Sequence, residues 1–125
     1  MIVDTNGFSA IAEGDPLLNA IIEKADKIYL PVIVLGEYIF GILQSRYRLQ
    51  YEQWLDESLP IFQILAIDES TAVHYADIRL ELKKVGRPIP ENDMWIAALT
   101  RQHGSTILSR DTHFDSVPGL KRVTW

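Results

Sequence analysis

The chain has 125 residues, of which 47% are apolar and 23% charged, the balance of an ordinary folded domain. Twelve basic against seventeen acidic side chains give a net charge of −5, a poor starting point for nucleic-acid binding unless the acids are concentrated in one place. Cysteine is absent, which excludes disulfides, thiolate nucleophiles and cysteine-based zinc sites. The longest apolar stretch, Ile28 to Gly36, is far shorter than the roughly 20 residues of a membrane span. Met1-Ile2-Val3-Asp4 has no basic leader character, so the expectation is a single cytoplasmic domain over residues 1–125 without a membrane association.

Ile2-Val3 reads as a short strand at the very start. Pro16 to Ala25 reads as a helix, with Asp15 as N-cap and proline at the first helical position. Lys27 to Leu30 is a second strand, ended by Pro31. Val32 to Leu43 is β-branched enough for a strand, but its length and the spacing of Leu35, Ile39, Ile42 and Leu43 favour a helix. Arg46 to Ser58 is an amphipathic helix with Tyr47, Tyr51, Trp54 and Leu55 on one side. Phe62 to Ile67 is strand-like, and Asp68 or Ser70 caps a helix that runs to about Val85. Gly86 to Pro90 has the chemistry of a loop. Asn92 to His103 is a helix with Gly104 just past its end, and strands follow at Thr106 to Ser109 and Lys121 to Thr124. Alternation of this kind implies a three-layer α/β/α fold around a mostly parallel sheet.

Several carboxylates fall out of pattern. Asp4 and Asp111 each stand at the end of a strand, and in open α/β sheets ligands bind in the crevice outside those ends. Either residue alone is more often a turn former or a helix cap, and the pair of them weakens that reading. Glu37 is the one charged residue between Lys27 and Arg46, on a helix apolar on nearly every side, where an ionised carboxylate must be paired or metal-bound unless it lies on a thin solvated stripe. Asp93 opens the Met94–Leu99 apolar run, and taken alone it is a favourable charge in a first helical turn. Four such groups sharing one pocket would repel each other into protonation, and a hard, oxygen-preferring Mg²⁺ or Mn²⁺ ion resolves that conflict.

These residues resemble a known family. Asp4-Thr5-Asn6, the isolated Glu37, Asn92-Asp93-Met94-Trp95-Ile96-Ala97-Ala98 and Leu108-Ser109-Arg110-Asp111-Thr112-His113-Phe114 look like the PIN domain. Among its members the chain is most similar to the VapC-type ribonuclease toxins of toxin–antitoxin modules, along its whole length. The resemblance implies catalytic and metal-binding acids at Asp4, Glu37, Asp93 and Asp111, with Asp115 matching an auxiliary acid. Thr5, Asn6 and Ser109 would support the site. It further implies Mg²⁺ or Mn²⁺ as cofactor, RNA as substrate, a VapB-type antitoxin as partner and a homodimer that assembles with it. His74, His103 and His113 are read as structural or surface residues. Arg79, Lys83, Lys84 and Arg87, against only Glu81, form a basic stretch suited to RNA, as does Arg110 beside Asp111. Arg46, Arg48, Tyr47 and Tyr51 are a second basic and aromatic candidate. Tyr38, Phe40, Trp54 and Leu55 are candidates for a partner groove.

Rival readings are a stand-alone RNA-processing nuclease and a catalytically silent binding module. A HAD-type phosphotransferase also ends its first strand in Asp, but Asn6 here takes the place of that family's second Asp.

Overall fold

The computed structural model describes residues 1–125. Five short strands, β1 (Ile2–Val3), β2 (Tyr29–Pro31), β3 (Gln63–Leu65), β4 (Ile107–Leu108) and β5 (Arg122–Val123), form one sheet in the order β3-β2-β1-β4-β5. Every neighbouring pair is parallel, so the sheet is wholly rather than mostly parallel. Six helices connect and cover it: α1 (Thr5–Ala12), α2 (Pro16–Lys24), α3 (Val32–Leu43), α4 (Arg48–Ser58), α5 (Glu69–Lys84) and α6 (Glu91–Gln102). Right-handed crossovers from β1 out to β3 place α1–α4 on one face, and the return to β4 places α5 and α6 on the other. This is the three-layer α/β arrangement expected from the alternation of elements.

Burial on both faces explains the strand sequences. Ile2, Val3, Ile107 and Leu108 are wholly buried, as uninterrupted apolar strands at a sheet centre must be. The helical caps also follow the sequence. Asp15 accepts from the Leu17 amide at 2.9 Å to start α2. Asp68 and Thr71 form a reciprocal capping box at the start of α5. Gly104 adopts φ +57° beyond α6, the left-handed conformation that ends a helix with least strain.

Three features depart from the expected elements. No element is expected over residues 5–14, yet α1 occupies Thr5–Ala12. Thr, Asn, Gly and Ser are weak helix formers, so the helix owes its existence to packing. Phe8 is wholly buried, against Tyr38, Trp54 and Phe62 with ring centroids 4.8, 5.4 and 5.3 Å away. Gly7 lets α1 press onto the sheet: a Cβ there would lie 3.1 Å from the Leu108 carbonyl oxygen and 3.2 Å from Val3 Cγ1. Second, α3 is buried only along Val34, Tyr38 and Ile42, while Val32, Ile39, Phe40 and Leu43 are exposed. The expectation of a helix buried on nearly every side is therefore corrected: its apolar composition serves one covered face and one uncovered face. Third, Pro31 belongs to β2 as its last residue, in register with Leu65 of β3, and α3 begins directly after it at Val32.

Candidate active site

The chain leaves β1 toward β2 on one side and returns to β4 on the other, so β1 and β4 meet at the topological switch of the sheet. Their carboxyl ends deliver Asp4 and the Ser109–Asp111 segment to one crevice. Helices antiparallel to the strands bring their amino ends to the same edge, which adds Thr5 and Asn6 from α1 and Asn92 and Asp93 from α6. Glu37 reaches it from the second turn of α3.

Asp4 is only 4% exposed, and its carboxylate does two jobs. Oδ1 accepts from the Thr5 amide at 2.6 Å, capping α1, while Oδ2 accepts from Ser109 Oγ at 2.8 Å and Asn6 Nδ2 at 3.1 Å. The cap and the candidate ligand are thus the same residue. Ser109 Oγ in turn accepts from the Asp111 amide at 2.9 Å and from Asn6 Nδ2 at 3.2 Å, while Asn6 Oδ1 accepts from the Arg110 amide at 3.1 Å. Asn6 and Ser109 therefore stitch the end of β1 to the end of β4. Glu37 is partly buried with one donor on each oxygen: Thr5 Oγ1 on Oε2 at 2.6 Å and Asn92 Nδ2 on Oε1 at 2.5 Å. Thr5, Asn6 and Ser109 each donate a side-chain hydrogen bond to one of these acids.

Electrostatics show the acids in conflict. Burial raises the Asp4 carboxyl above its ordinary range, and the charges of Asp93 and Asp111 raise it further against the hydrogen bonds from Ser109 and Thr5. Burial likewise raises Asp93, with repulsion from Asp111 and Glu37 adding to it and the His113 hydrogen bond opposing. A divalent cation fits this donor set, since it turns mutual repulsion into shared attraction and takes carboxylate oxygens by preference. Asp93, Asp111 and His113 each offer an atom to a group lying within 4.8 Å of one another.

Two residues outside the expected set enter the site. Asn92 holds Glu37, and its adjacency to Asp93 on α6 is the available sequence signal. His113, expected to be structural or superficial, sits with Nδ1 3.1 Å from Asp93 Oδ2 and 3.0 Å from Asp111 Oδ1. Its place two residues after Asp111 was the clue. Asp115, by contrast, is held by Arg122, whose Nε and Nη2 reach its two oxygens at 2.8 and 2.9 Å. That guanidinium keeps the Asp115 carboxyl below the usual range and ties it to β5. Arg122 Nη1 also donates to the Ser109 carbonyl at 3.2 Å, so the pair braces the turn that carries Asp111. Arg110 lies over the Trp125 ring, 4.6 Å from its centroid, and donates to the Trp125 carbonyl. Lys83, Lys84 and Arg87 are exposed at the end of α5 and in the following loop. Tyr38 and Leu55 are core residues, Trp54 packs against the core, and Phe40 alone of that group is open to solvent.

The PIN domain family model matches residues 1–120. The chain belongs to the PIN-domain family. Ribonuclease VapC5 of Mycobacterium tuberculosis is 30% identical over 125 residues, covering 98% of this chain and 90% of the relative. Among solved structures, VapBC2 of Rickettsia felis bound to a promoter DNA fragment superposes with a TM-score of 0.91 at 24% identity, covering 99% of this chain and 97% of the other, which speaks to the fold. VapBC-5 of Mycobacterium tuberculosis, described as a member of the VapBC family of toxin–antitoxin systems, gives a TM-score of 0.75 at 26% identity, covering 98% and 94%. In this PIN domain Asp4, Glu37, Asp93 and Asp111 meet at one sheet edge, and no helix is long and apolar enough to cross a membrane.

Proposed function

We propose that this PIN domain is a metal-dependent endoribonuclease, the toxin of a VapBC-type toxin–antitoxin pair, working on cytoplasmic RNA. The convergence of Asp4, Glu37, Asp93 and Asp111 at the carboxyl ends of β1 and β4 carries the reading. A bound Mg²⁺ or Mn²⁺ would supply Lewis acidity, lowering the pKa of water for attack on a phosphodiester and offsetting the charge that gathers on it. Asp4, Glu37 and Asp93 would hold the principal ion. Asp111, capping its own turn, would orient the attacking water or, together with Asp93, hold a second ion. Thr5 and Asn92 keep both Glu37 oxygens in place, and Ser109 and Asn6 fix the Asp4 carboxylate, so the donors are set before RNA arrives. Water attacking phosphorus with departure of the 3′ oxygen leaves 5′-phosphate and 3′-hydroxyl ends.

The charge distribution supports RNA as substrate. Asp68 ahead of α5 meets Gln102 at the end of α6, and Arg79 meets Glu91 at its start, so the loop with Arg87 leads to the end of α6 that carries Asp93. The uncovered stripe of Val32, Ile39, Phe40 and Leu43 on α3 supports association, as a homodimer and with a VapB-type antitoxin. A cleft of about 370 Å³ running from Thr5 and Glu37 past Tyr38 and Gly41 to Tyr51 would admit an antitoxin segment beside the acids.

Asp4→Asn and Asp93→Asn should each abolish RNA cleavage while circular dichroism shows an intact fold. EDTA should silence the unmodified protein and Mn²⁺ should restore it. Cleavage retained by either variant, or in EDTA, overturns the assignment.

A further inference from the structure

His113 brings a nitrogen donor into a crevice otherwise lined by oxygens. Its Nδ1 stands 3.1 Å from Asp93 Oδ2 and 3.0 Å from Asp111 Oδ1, contacting acids from two different segments at once. Donors in neighbouring positions around an octahedral ion with bonds of about 2.1 Å lie about 3.0 Å apart, so Nδ1 already stands at the spacing of an adjacent ligand from each of the two carboxylate oxygens, and all three atoms lie within 4.8 Å of one another. The ring is held there by its backbone. The His113 amide donates to Asp111 Oδ1 at 2.9 Å, Phe114 next to it is wholly buried, and Arg122 clamps both Asp115 and the Ser109 carbonyl on either side of the turn. With about half its side chain accessible, the imidazole faces both the acids and solvent.

We propose that His113 Nδ1 is a direct ligand of the divalent cation shared by Asp93 and Asp111, and that this nitrogen biases the site toward Mn²⁺ over Mg²⁺. The inference rests on the metal site proposed above. Mg²⁺ is hard, holds its waters and favours oxygen, whereas imidazole is a good donor to first-row transition ions. Carboxylate oxygens serve both ions, whereas one histidine adds a preference for Mn²⁺. The opposite arrangement, in which the ring occupies the cation's place and must be displaced, makes the contrary prediction for every variant at this position.

The test is Mn²⁺ binding to the full chain, followed by electron paramagnetic resonance. Pulsed spectra of the unmodified protein should show ¹⁴N coupling to Mn²⁺ that vanishes in His113→Ala. That variant should bind Mn²⁺ roughly tenfold more weakly while Mg²⁺ affinity changes less. His113→Asp should regain cation affinity through oxygen, without ¹⁴N coupling and with the preference moved toward Mg²⁺. Mn²⁺ bound without ¹⁴N coupling, or bound more tightly by His113→Ala, overturns the proposal while leaving the carboxylate site standing. If the unmodified protein takes up no Mn²⁺, or Asp93→Asn takes up as much, the metal site itself fails and this inference with it.

Discussion

Replacing Thr5 with valine would remove one hydroxyl hydrogen and little else, since the two side chains have nearly the same shape. Thr5 Oγ1 donates at 2.6 Å to Glu37 Oε2, and Asn92 Nδ2 holds the other oxygen at 2.5 Å. A hydrogen bond to a charged group is worth about 1.5–3 kcal/mol. Glu37 is partly open, so water replaces some of that loss, and the Asn92 contact survives. The remainder appears as a carboxylate free to rotate away from the cation. Loss of such a supporting contact costs roughly 10–100-fold in metal affinity, or about 1.4–2.8 kcal/mol. Isothermal titration with Mn²⁺ should show this weakening in Thr5→Val, with thermal unfolding in EDTA nearly unchanged. Thr5→Ser keeps the donor and should bind close to normally. Two outcomes refute the reasoning: Thr5→Val binding as tightly as the unmodified protein, or Thr5→Ser losing as much as Thr5→Val, which would trace the effect to the methyl group.

Stability in EDTA should rise as the pH is lowered from neutral. The folded-state Asp4 and Asp93 values are raised by burial and mutual repulsion, so the folded state takes up protons before the unfolded one, and the benefit is complete below the unfolded values. The trend should reverse in more acid solution, where Asp68 and Asp115, held below the usual range by Thr71 and Arg122, lose their contribution as pH falls through their folded values. Urea unfolding across pH 3–8 reads both limbs, and a steady decline from neutral pH would contradict the first. Arg122→Ala should lower stability by about 1 kcal/mol through the Ser109 carbonyl contact, because exposed ion pairs such as that with Asp115 add little. Mn²⁺ affinity should fall as well, because the brace on the turn that carries Asp111 and His113 is lost; a gain instead, disappearing in Arg122→Ala/Asp115→Asn, would make Asp115 a ligand. Neutralising Lys83, Lys84 and Arg87 together should weaken RNA binding and flatten its dependence on salt, and an unchanged slope removes this stretch from the RNA contact.

The excess of acid over base, which at first counts against nucleic acid, is concentrated in the crevice at the ends of β1 and β4. Four of the surplus carboxylates lie in or beside it, and the basic stretch at the end of α5 is exposed. Local chemistry made much of this legible. Caps at Asp15 and Asp68, the left-handed Gly104, the unbroken apolar strands and the lone Glu37 each express a nearest-neighbour preference that the chain states directly. The acids at Asp4, Asp93 and Asp111 were legible as positions, although each has an equally good local role as a cap or first-turn charge, and in the fold each keeps that role.

Helix α1 was not legible, because Thr5-Asn6-Gly7 carries no helical preference and only the fit of Phe8 into the aromatic cluster, with Gly7 against Leu108, makes it fold. Nor could the sequence divide Asp115 from His113. Separation along the chain is the same kind of signal for both, and only the path of the turn after β4 sends one to Arg122 and the other between Asp93 and Asp111. The sequence by itself determined which side chains could bind a cation, since residue chemistry and strand ends are local facts. The tertiary structure decided which of them meet, because parallel pairing of β1 with β4 and the approach of α3 and α6 bring together residues far apart in the chain.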